Sequence, residues 1–418
     1  MELVSKAQIQ KAYEVLAPII THTPLQYDRH LSEKYQATIL LKREDLQRVR
    51  SFKLRGAYYA ISQKNPKELH RGVVCASAGN HAQGIAYTCH ELGIKAVIFM
   101  PSTTPAQKVE QVAFFGGKNI EIRLIGDTFD ASANHATTYA HTHQMPFINP
   151  FDDPDIIAGQ GSIGIEIEED LKNLGLQADM ILCAIGGGGL ISGVASYFKN
   201  TTPSTKIIGV EPTGASSMAL AFEHNEPTAL PYVDKFVDGA AVQKVGILNF
   251  HHAKAYVDSL IHVDEGLVCQ SILELYNKQA IIAEPAGALS VAALETLGKE
   301  ICGKVVVCII SGGNNDIQRM AEIEERSLIY QGLMNYFLIN FPQRPGALKE
   351  FVNEVLGPND DITRFEYTKK VHRGTGPVML GILSKHKQDT IGLLERIQNF
   401  DPSYIALKDH QSLYTLLV

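Results

Sequence analysis

The chain has 418 residues, 45% of them hydrophobic and 20% charged, with 34 glycines and a formal net charge of -7 at pH 7. That length suffices for two or three domains, each with its own core, and the composition excludes a disordered or fibrous polypeptide. An acidic balance without a long Lys/Arg run argues against a nucleic-acid footprint, and with no apolar stretch of signal-peptide or membrane-spanning length the chain reads as cytoplasmic and acting on small molecules.

In chain order, short β-rich runs alternate with helical patterns from about residue 37 to 320, which predicts a parallel sheet with crossover helices. The clearest strands are Ile39 to Lys42, Val73 to Ala76, Ala96 to Met100, Met180 to Ile185, Lys206 to Val210 and Val305 to Ile310. Three of them run into small-residue turns: S-A-G-N-H at Ser77 to His81, G-G-G-G-L at Gly186 to Leu190, and S-G-G-N at Ser311 to Asn314. Ligands bind beyond the carboxyl ends of the strands in open α/β sheets, so three such turns imply one shared cleft. From about residue 321 a charged segment, A-E-I-E-E-R, leads into a different pattern. It reads as strand Tyr336 to Phe341, helix Ala347 to Val355, strands Thr363 to Lys369 and Val378 to Ser384, helix Thr390 to Asn399, and a last strand near Ser412 to Leu417. The order β-α-β-β-α-β is that of a ferredoxin-like unit, with Pro345-Gly346 turning into its first helix. Cys75, Cys89, Cys183, Cys269, Cys302 and Cys308 lie far apart with no C-x-x-C pair, so neither a zinc knuckle nor a disulfide scaffold is indicated.

Strand, glycine loop and helix follow one another in A-I-G-G-G-G-L-I-S-G-V-A, where residues without Cβ let backbone N–H groups close on an anion, most naturally a phosphate. A tight turn with close packing explains one or two glycines but hardly four in a row. Gly187-x-Gly189-x-x-Ser192 is also one substitution from a dinucleotide-binding fingerprint, with Glu211 ending the next strand where a ribose-binding acid is expected. That alternative leaves Lys53 and the other two turns unexplained. In S-F-K-L-R-G-A, Phe52 could supply a ring face and Lys53 an amine whose pKa falls on desolvation or beside another cation such as Arg55; such an amine can form a Schiff base. Asn80 and His81 could help gather a carboxylate or phenolic oxygen, or Asn80 could simply cap a helix. Ser311 and Glu284, the latter in E-P-A-G-A, each have the same double reading: a cap at a helix or turn, or a group facing the cleft.

Together these motifs, with T-H-T-P-L at Thr21 to Leu25 and F-D-D-P-D-I-I-A-G-Q-G at Phe151 to Gly161, resemble the threonine dehydratases (threonine deaminases) of the tryptophan-synthase-like, fold type II class of pyridoxal-phosphate enzymes. The resemblance implies a two-lobed α/β catalytic domain over residues 1–320, a small lobe of roughly 50–150 inserted in the large one, with open, twisted, mostly parallel sheets. It implies that Lys53 carries pyridoxal 5'-phosphate covalently, with Phe52 beside its ring, Gly186, Gly187, Gly188, Gly189 and Leu190 around its phosphate, Asn80 at the ring oxygen, Ser311 at the pyridine nitrogen and Glu284 at the cofactor. Ser77, Ala78, Gly79, Asn80 and His81 would bind the substrate carboxylate. The implied reaction turns L-threonine into 2-oxobutanoate and ammonia, with L-serine as a secondary substrate. Serine racemases of this class place a second serine where this chain has Ala78, which disfavours racemisation. Where those relatives bind a divalent metal, the sequence has Glu211, Ala215 and Ser217; losing the third position's carboxylate implies no required metal, leaving a monovalent ion open.

After a linker at 321–334, residues 335–418 resemble the ACT-like regulatory domain of biosynthetic threonine dehydratases, especially F-P-Q-R-P-G-A-L-K-E-F at Phe341 to Phe351. This implies isoleucine as end-product inhibitor, valine as a possible opposing effector, and a homotetramer. The alternatives are an L-serine dehydratase or β-replacement synthase of the same class, and a non-catalytic amino-acid sensor.

Overall fold

Val- and Ile-rich runs without polar alternation form strands covered on both faces, as parallel sheets flanked by helices require. The computed structural model describes residues 2–369 and 374–417, and the chain divides into two units, Met1–Arg319 and Met320–Val418. The first unit contains β1 (Leu25–Tyr27), β2 (Thr38–Arg43), β3 (Val73–Ala76), β4 (Ala96–Met100), β5 (Ile120–Leu124), β6 (Met180–Ala184), β7 (Lys206–Pro212), β8 (Ser259–Val263) and β9 (Val305–Ile310). Six form one sheet in the order β1-β2-β9-β6-β7-β8, parallel except for the β1–β2 edge pair, while β3-β4-β5 form a second, wholly parallel sheet. The open, mostly parallel sheets expected of a two-lobed domain are thus two, the smaller built from chain that lies between β2 and β6. Every residue of β3, β4 and β6 is buried. The strands that sequence patterning passes over, β1, β5 and β8, are at sheet edges, half-exposed and mixed in polarity.

The long helix Pro154–Asn173, capped by Asp153 and started by Pro154, is the element on which the chemistry-bearing helices converge. A Cβ added at Gly159 would lie 2.7 Å from the Gly56 Cα, and one added at Gly193 would lie 2.5 Å from the Gly161 nitrogen. Helices Lys53–Ser62 and Gly189–Lys199 thus meet the central helix at backbone contact. One starts at Lys53 and the other at the end of the glycine loop, so this packing holds the two motifs in a fixed relation.

The second unit begins with helix Met320–Tyr330. It then builds β10 (Met334–Pro342), β11 (Asp360–Tyr367), β12 (Thr375–Ser384) and β13 (Ile405–Ala406) into an antiparallel sheet in the order β11-β12-β10-β13, the ferredoxin-like arrangement. Phe341 and Phe351, the two ends of F-P-Q-R-P-G-A-L-K-E-F, are core residues with rings 4.9 Å apart, and Phe400 packs within 5.3 Å of both. Two expectations need correction. The last strand does not lie near Ser412 to Leu417: residues Gln411–Leu417 are helical, and the fourth strand is the two-residue β13, paired with Phe337 and Leu338. The chain returns to the sheet straight after helix Lys387–Phe400, where Asp401 accepts the Asn340 N–H at 2.7 Å, so the edge is filled before residue 412 is reached. The strand expected at Thr363 to Lys369 runs from Asp360 to Tyr367, with a register shift between Ile362 and Arg364. Among the described residues no helix is long and apolar enough to cross a membrane.

Candidate active site

Lys53 is the first residue of its helix, with Phe52 in the N-cap position and the Phe52 N–H donating to the Ser311 carbonyl at 3.1 Å. The residue as a whole is half-buried; its Nζ donates to the Pro150 carbonyl at 2.8 Å and lies 5.3 Å from the centre of the Phe52 ring. Burial pushes the amine down to about 8, against a smaller opposing pull from Glu284. The Pro150 carbonyl is aimed by its neighbours: Asn149 Oδ1 accepts from the N–H groups of Phe151 (3.0 Å) and Asp152 (2.8 Å), which curls the segment around it. Sequence reasoning found the lysine but not this carbonyl, because an Asn turn upstream of F-D-D-P is a common local feature.

The expected contribution of Arg55 to the Lys53 amine is not what the structure shows. Arg55 is fully buried and points away into a bed of carboxylates: Glu44 receives Nε and Nη2 at 2.8 and 2.7 Å, and Glu166 receives Nη1 and Nη2 at 2.8 Å each. Lys42, also fully buried, pairs with Glu166 at 2.7 Å. Burial pushes the Glu166 carboxyl up, but Arg55 and then Lys42 outweigh it and hold the group below its ordinary value. The depression at Lys53 thus comes from desolvation, and Arg55 belongs to a buried ion network behind the site.

The three small-residue turns do converge. At Ser77 to His81 the cap of helix Asn80–Leu92 is Gly79, not Asn80, which leaves the Asn80 side chain free for other partners. Asn80 Nδ2 donates to Glu284 Oε1 at 2.6 Å, and Asn80 Oδ1 accepts from Asn314 Nδ2 at 2.8 Å, joining this turn to the one after β9. Ser77 Oγ accepts the Gly79 N–H at 3.2 Å, Ala78 is half-buried, and a side chain added at Gly79 would meet open space. The His81 ring faces inward to the Ile148 carbonyl at 3.1 Å and is pushed down to about 3, first by burial and then by the Lys53 cation, so it is neutral. Ser311 is buried and its Oγ donates to the Ala286 carbonyl at 3.2 Å. Glu284 precedes Pro285 at a helix start, and burial, with Asp238 adding to it, lifts its carboxyl to about 7 against the Asn80 amide.

The glycine loop leads from β6 into helix Gly189–Lys199, of which Leu190 is a buried residue. Gly188, the N-cap, has φ 96°, a left-handed conformation that a side chain would strain. A Cβ at Gly187 would fall 2.2 Å from ring carbons of Phe151, at Gly186 3.0 Å from the Ala240 Cα, and at Gly189 3.2 Å from the Phe151 carbonyl oxygen. Phe151 follows the residue that holds Lys53, so a single turn touches both the amine and the loop. Asn249, which sequence reasoning missed, clamps the loop from behind: its Nδ2 donates to the carbonyls of Gly187 (2.9 Å) and Phe151 (3.0 Å), while its buried Oδ1 has no partner. Asp152 in turn caps the helix that carries Asn249, accepting from Ile247 and Leu248 N–H at 3.0 and 2.9 Å. Glu211 does not face the loop. Its carboxylate accepts the Met218 and Ala219 N–H groups at 2.7 and 3.0 Å, which removes the ribose-binding acid from the dinucleotide alternative.

Residues 16–312 match the family described as pyridoxal-phosphate dependent enzyme, and residues 325–417 match the C-terminal regulatory domain of threonine dehydratase. Over 416 residues the chain is 55% identical to the L-threonine dehydratase biosynthetic IlvA of Lactococcus lactis subsp. lactis (strain IL1403), covering 100% of both. It is 56% identical to the protein of the same name from Staphylococcus aureus (strain NCTC 8325 / PS 47), covering 99% of each. The solved structure of the processed form of threonine deaminase isoform 2 from Solanum lycopersicum is similar with a TM-score of 0.73 at 37% identity, over 78% of this chain and 96% of that one. A desolvated amine beside a four-glycine helix entry, followed by a ferredoxin-like unit, is thus accounted for along the whole chain, which belongs to the pyridoxal-phosphate dependent enzymes and carries the threonine dehydratase regulatory domain.

Proposed function

We propose that the protein is a biosynthetic threonine dehydratase that holds pyridoxal phosphate on Lys53 and converts L-threonine to 2-oxobutanoate and ammonia, the first step toward isoleucine. The observation that carries the chemistry is the Lys53 amine: a base brought down to about 8 by burial, tied to the segment that also packs the glycine loop. The residues fit the cofactor. Four positions without Cβ run into a helix start, where main-chain N–H groups can close on a phosphate, and the turn that holds the amine through the Pro150 carbonyl packs on this loop through Phe151. When bound, pyridoxal phosphate supplies an electron sink for the pair left at the substrate α-carbon.

Residues of the chain do the rest. Gly186 to Leu190 hold the phosphate, Phe52 flanks the ring, and Asn80, held by Glu284, donates to the ring oxygen. The Ser77 to His81 turn gathers the substrate carboxylate, with the open space over Gly79 admitting it. Lys53 takes the α-proton as general base. Ser311, its hydroxyl proton turned from the Ala286 carbonyl to the pyridine nitrogen, offers a neutral partner that does not enforce a protonated ring; negative charge is then best discharged by loss of the β-hydroxyl, which leaves with a proton as water. L-Serine enters by the same route, because one methyl group is worth only about 1–3 kcal/mol of discrimination. We read residues 1–320 as the catalytic domain, 321–334 as the connection and 335–418 as the regulatory domain, supported by the division at Arg319 and Met320. Isoleucine as inhibitor, valine as opposing effector, a cytoplasmic location and a homotetramer complete the proposal.

The test is 2-oxobutanoate formation from L-threonine by purified protein with pyridoxal phosphate, repeated with Lys53→Ala and titrated with isoleucine. Product that vanishes in the variant and falls with isoleucine is expected. Pyruvate from serine without product from threonine would replace the substrate; no product and no visible cofactor band would leave an amino-acid sensor.

A further inference from the structure

The Asn80 amide can turn either of two faces toward the cofactor, and the choice decides whether the ring oxygen meets a donor or an acceptor. Asn314, three residues beyond Ser311, takes no part in the chemistry above, yet its side chain controls that choice. Its Nδ2 donates both to the Val49 main-chain carbonyl at 2.9 Å and to Asn80 Oδ1 at 2.8 Å. A backbone carbonyl can only accept, so Val49 determines which end of the Asn314 amide carries the NH2. That NH2 requires Asn80 to answer with its oxygen, which leaves Asn80 Nδ2 on the other side, 2.6 Å from Glu284 Oε1. The Asn314 main-chain N–H also faces the Glu284 carboxylate, so one residue holds both neighbours. Turning Asn80 over would set its NH2 against another NH2, whatever the protonation of Glu284.

We propose that Asn314 is a positioning residue that fixes the orientation of Asn80, so that Asn80 presents an N–H donor to the anionic ring oxygen of pyridoxal phosphate. The inference rests on the cofactor placement proposed above.

The experiment compares purified holoenzymes of the wild type, Asn314→Asp and Asn314→Ala by absorption spectroscopy, cofactor dissociation and thermal melting. An ionised Asp has the shape of Asn but only accepts, so Asn80 turns its NH2 toward the new carboxylate and its oxygen toward the cofactor. In N314D the absorbance moves from the visible band toward the near-ultraviolet band of a protonated ring oxygen, and cofactor dissociates about 10- to 100-fold more readily, the loss of one charge-assisted hydrogen bond. N314A, which frees Asn80 without inverting it, moves the band the same way by less; should N314D fail to fold, N314A decides alone. The inference is overturned if the variants melt lower but keep the wild-type band ratio while Asn80→Ala changes it. A wild type without a visible band overturns the cofactor placement and this inference together.

Discussion

Replacing Arg55 with methionine separates two roles that its place two residues after Lys53 would confuse. Arg55 makes four hydrogen bonds of 2.7 to 2.8 Å to Glu44 and Glu166 and a fifth to Ser162 Oγ at 3.1 Å, all with fully buried side chains. Methionine fills much of the space but leaves two buried carboxylates with Lys42 as their nearest cation. Removing one partner of such a network costs about 3–5 kcal/mol. An unfolding entropy of about 2.1 cal/mol/K per residue gives roughly 0.7 kcal/mol/K for the first unit, so its melting temperature should fall by about 4–7 °C. Arg55→Lys, which keeps the charge and loses the planar fork, should fall between the two. The assay is thermal unfolding of the apoprotein by circular dichroism, paired with the pH dependence of pyridoxal-phosphate uptake. The uptake midpoint should stay near 8 in R55M, because burial, not Arg55, depresses Lys53. A variant that melts with the wild type would refute the energetic reasoning. A midpoint that rises toward the ordinary lysine value would show that the Arg55 charge does reach the amine.

Three further outcomes follow from the geometry. Gly187→Ala drives a methyl group into the Phe151 ring, at 2.2 Å before relaxation, so it should cost about 1–3 kcal/mol of stability and largely abolish cofactor uptake measured by equilibrium dialysis; undiminished uptake would mean that the loop is not the phosphate cradle. Asn249→Ala removes the donors to the Gly187 and Phe151 carbonyls, worth about 1–3 kcal/mol, and should weaken pyridoxal-phosphate binding about tenfold or more in a fluorescence titration while leaving kcat nearly intact at saturating cofactor. Acid should destabilise the fold through His81, held down to about 3, and His252, whose burial lowers it and whose Nε2 accepts the Val4 N–H at 2.9 Å. Both folded pKa values lie below the ordinary 6.5, so the unfolded chain binds more protons. Stability is then full above that value and falls as pH drops below it, for His81 down to about 3, by up to ~1.4 kcal/mol per pH unit for each group while it titrates. Urea midpoints at two acidic pH values should converge in His81→Gln, and an unchanged pH slope would count against the assignment.

Much of the candidate site is legible in the sequence because its groups are concentrated in contiguous motifs. A run such as V-V-V-C-I-I followed by S-G-G-N carries its strand, its turn and its polar groups together. Residues that act on those motifs from elsewhere left no comparable trace. Asn249 is 62 positions from Gly187, and Asn80 is 204 from Glu284. Arg55 misled for the opposite reason: neighbours in sequence on a helix point to different faces, and a helical residue two places on faces away. At the C-terminus the β-α-β-β-α-β order places a last strand near 412–417, although the edge is already taken by Ile405–Ala406.

The sequence by itself determined the two-part organisation, the parallel and ferredoxin-like patterns, the amine and the glycine entry, because hydrophobic period and small-residue turns are local properties of the chain. Only the tertiary structure decided that Lys53 is depressed by burial, that Asn80 is oriented through Asn314, and that Asn249 clamps the loop. Desolvation and hydrogen-bond direction depend on which distant groups surround an atom, and packing across elements, not order along the chain, sets that company.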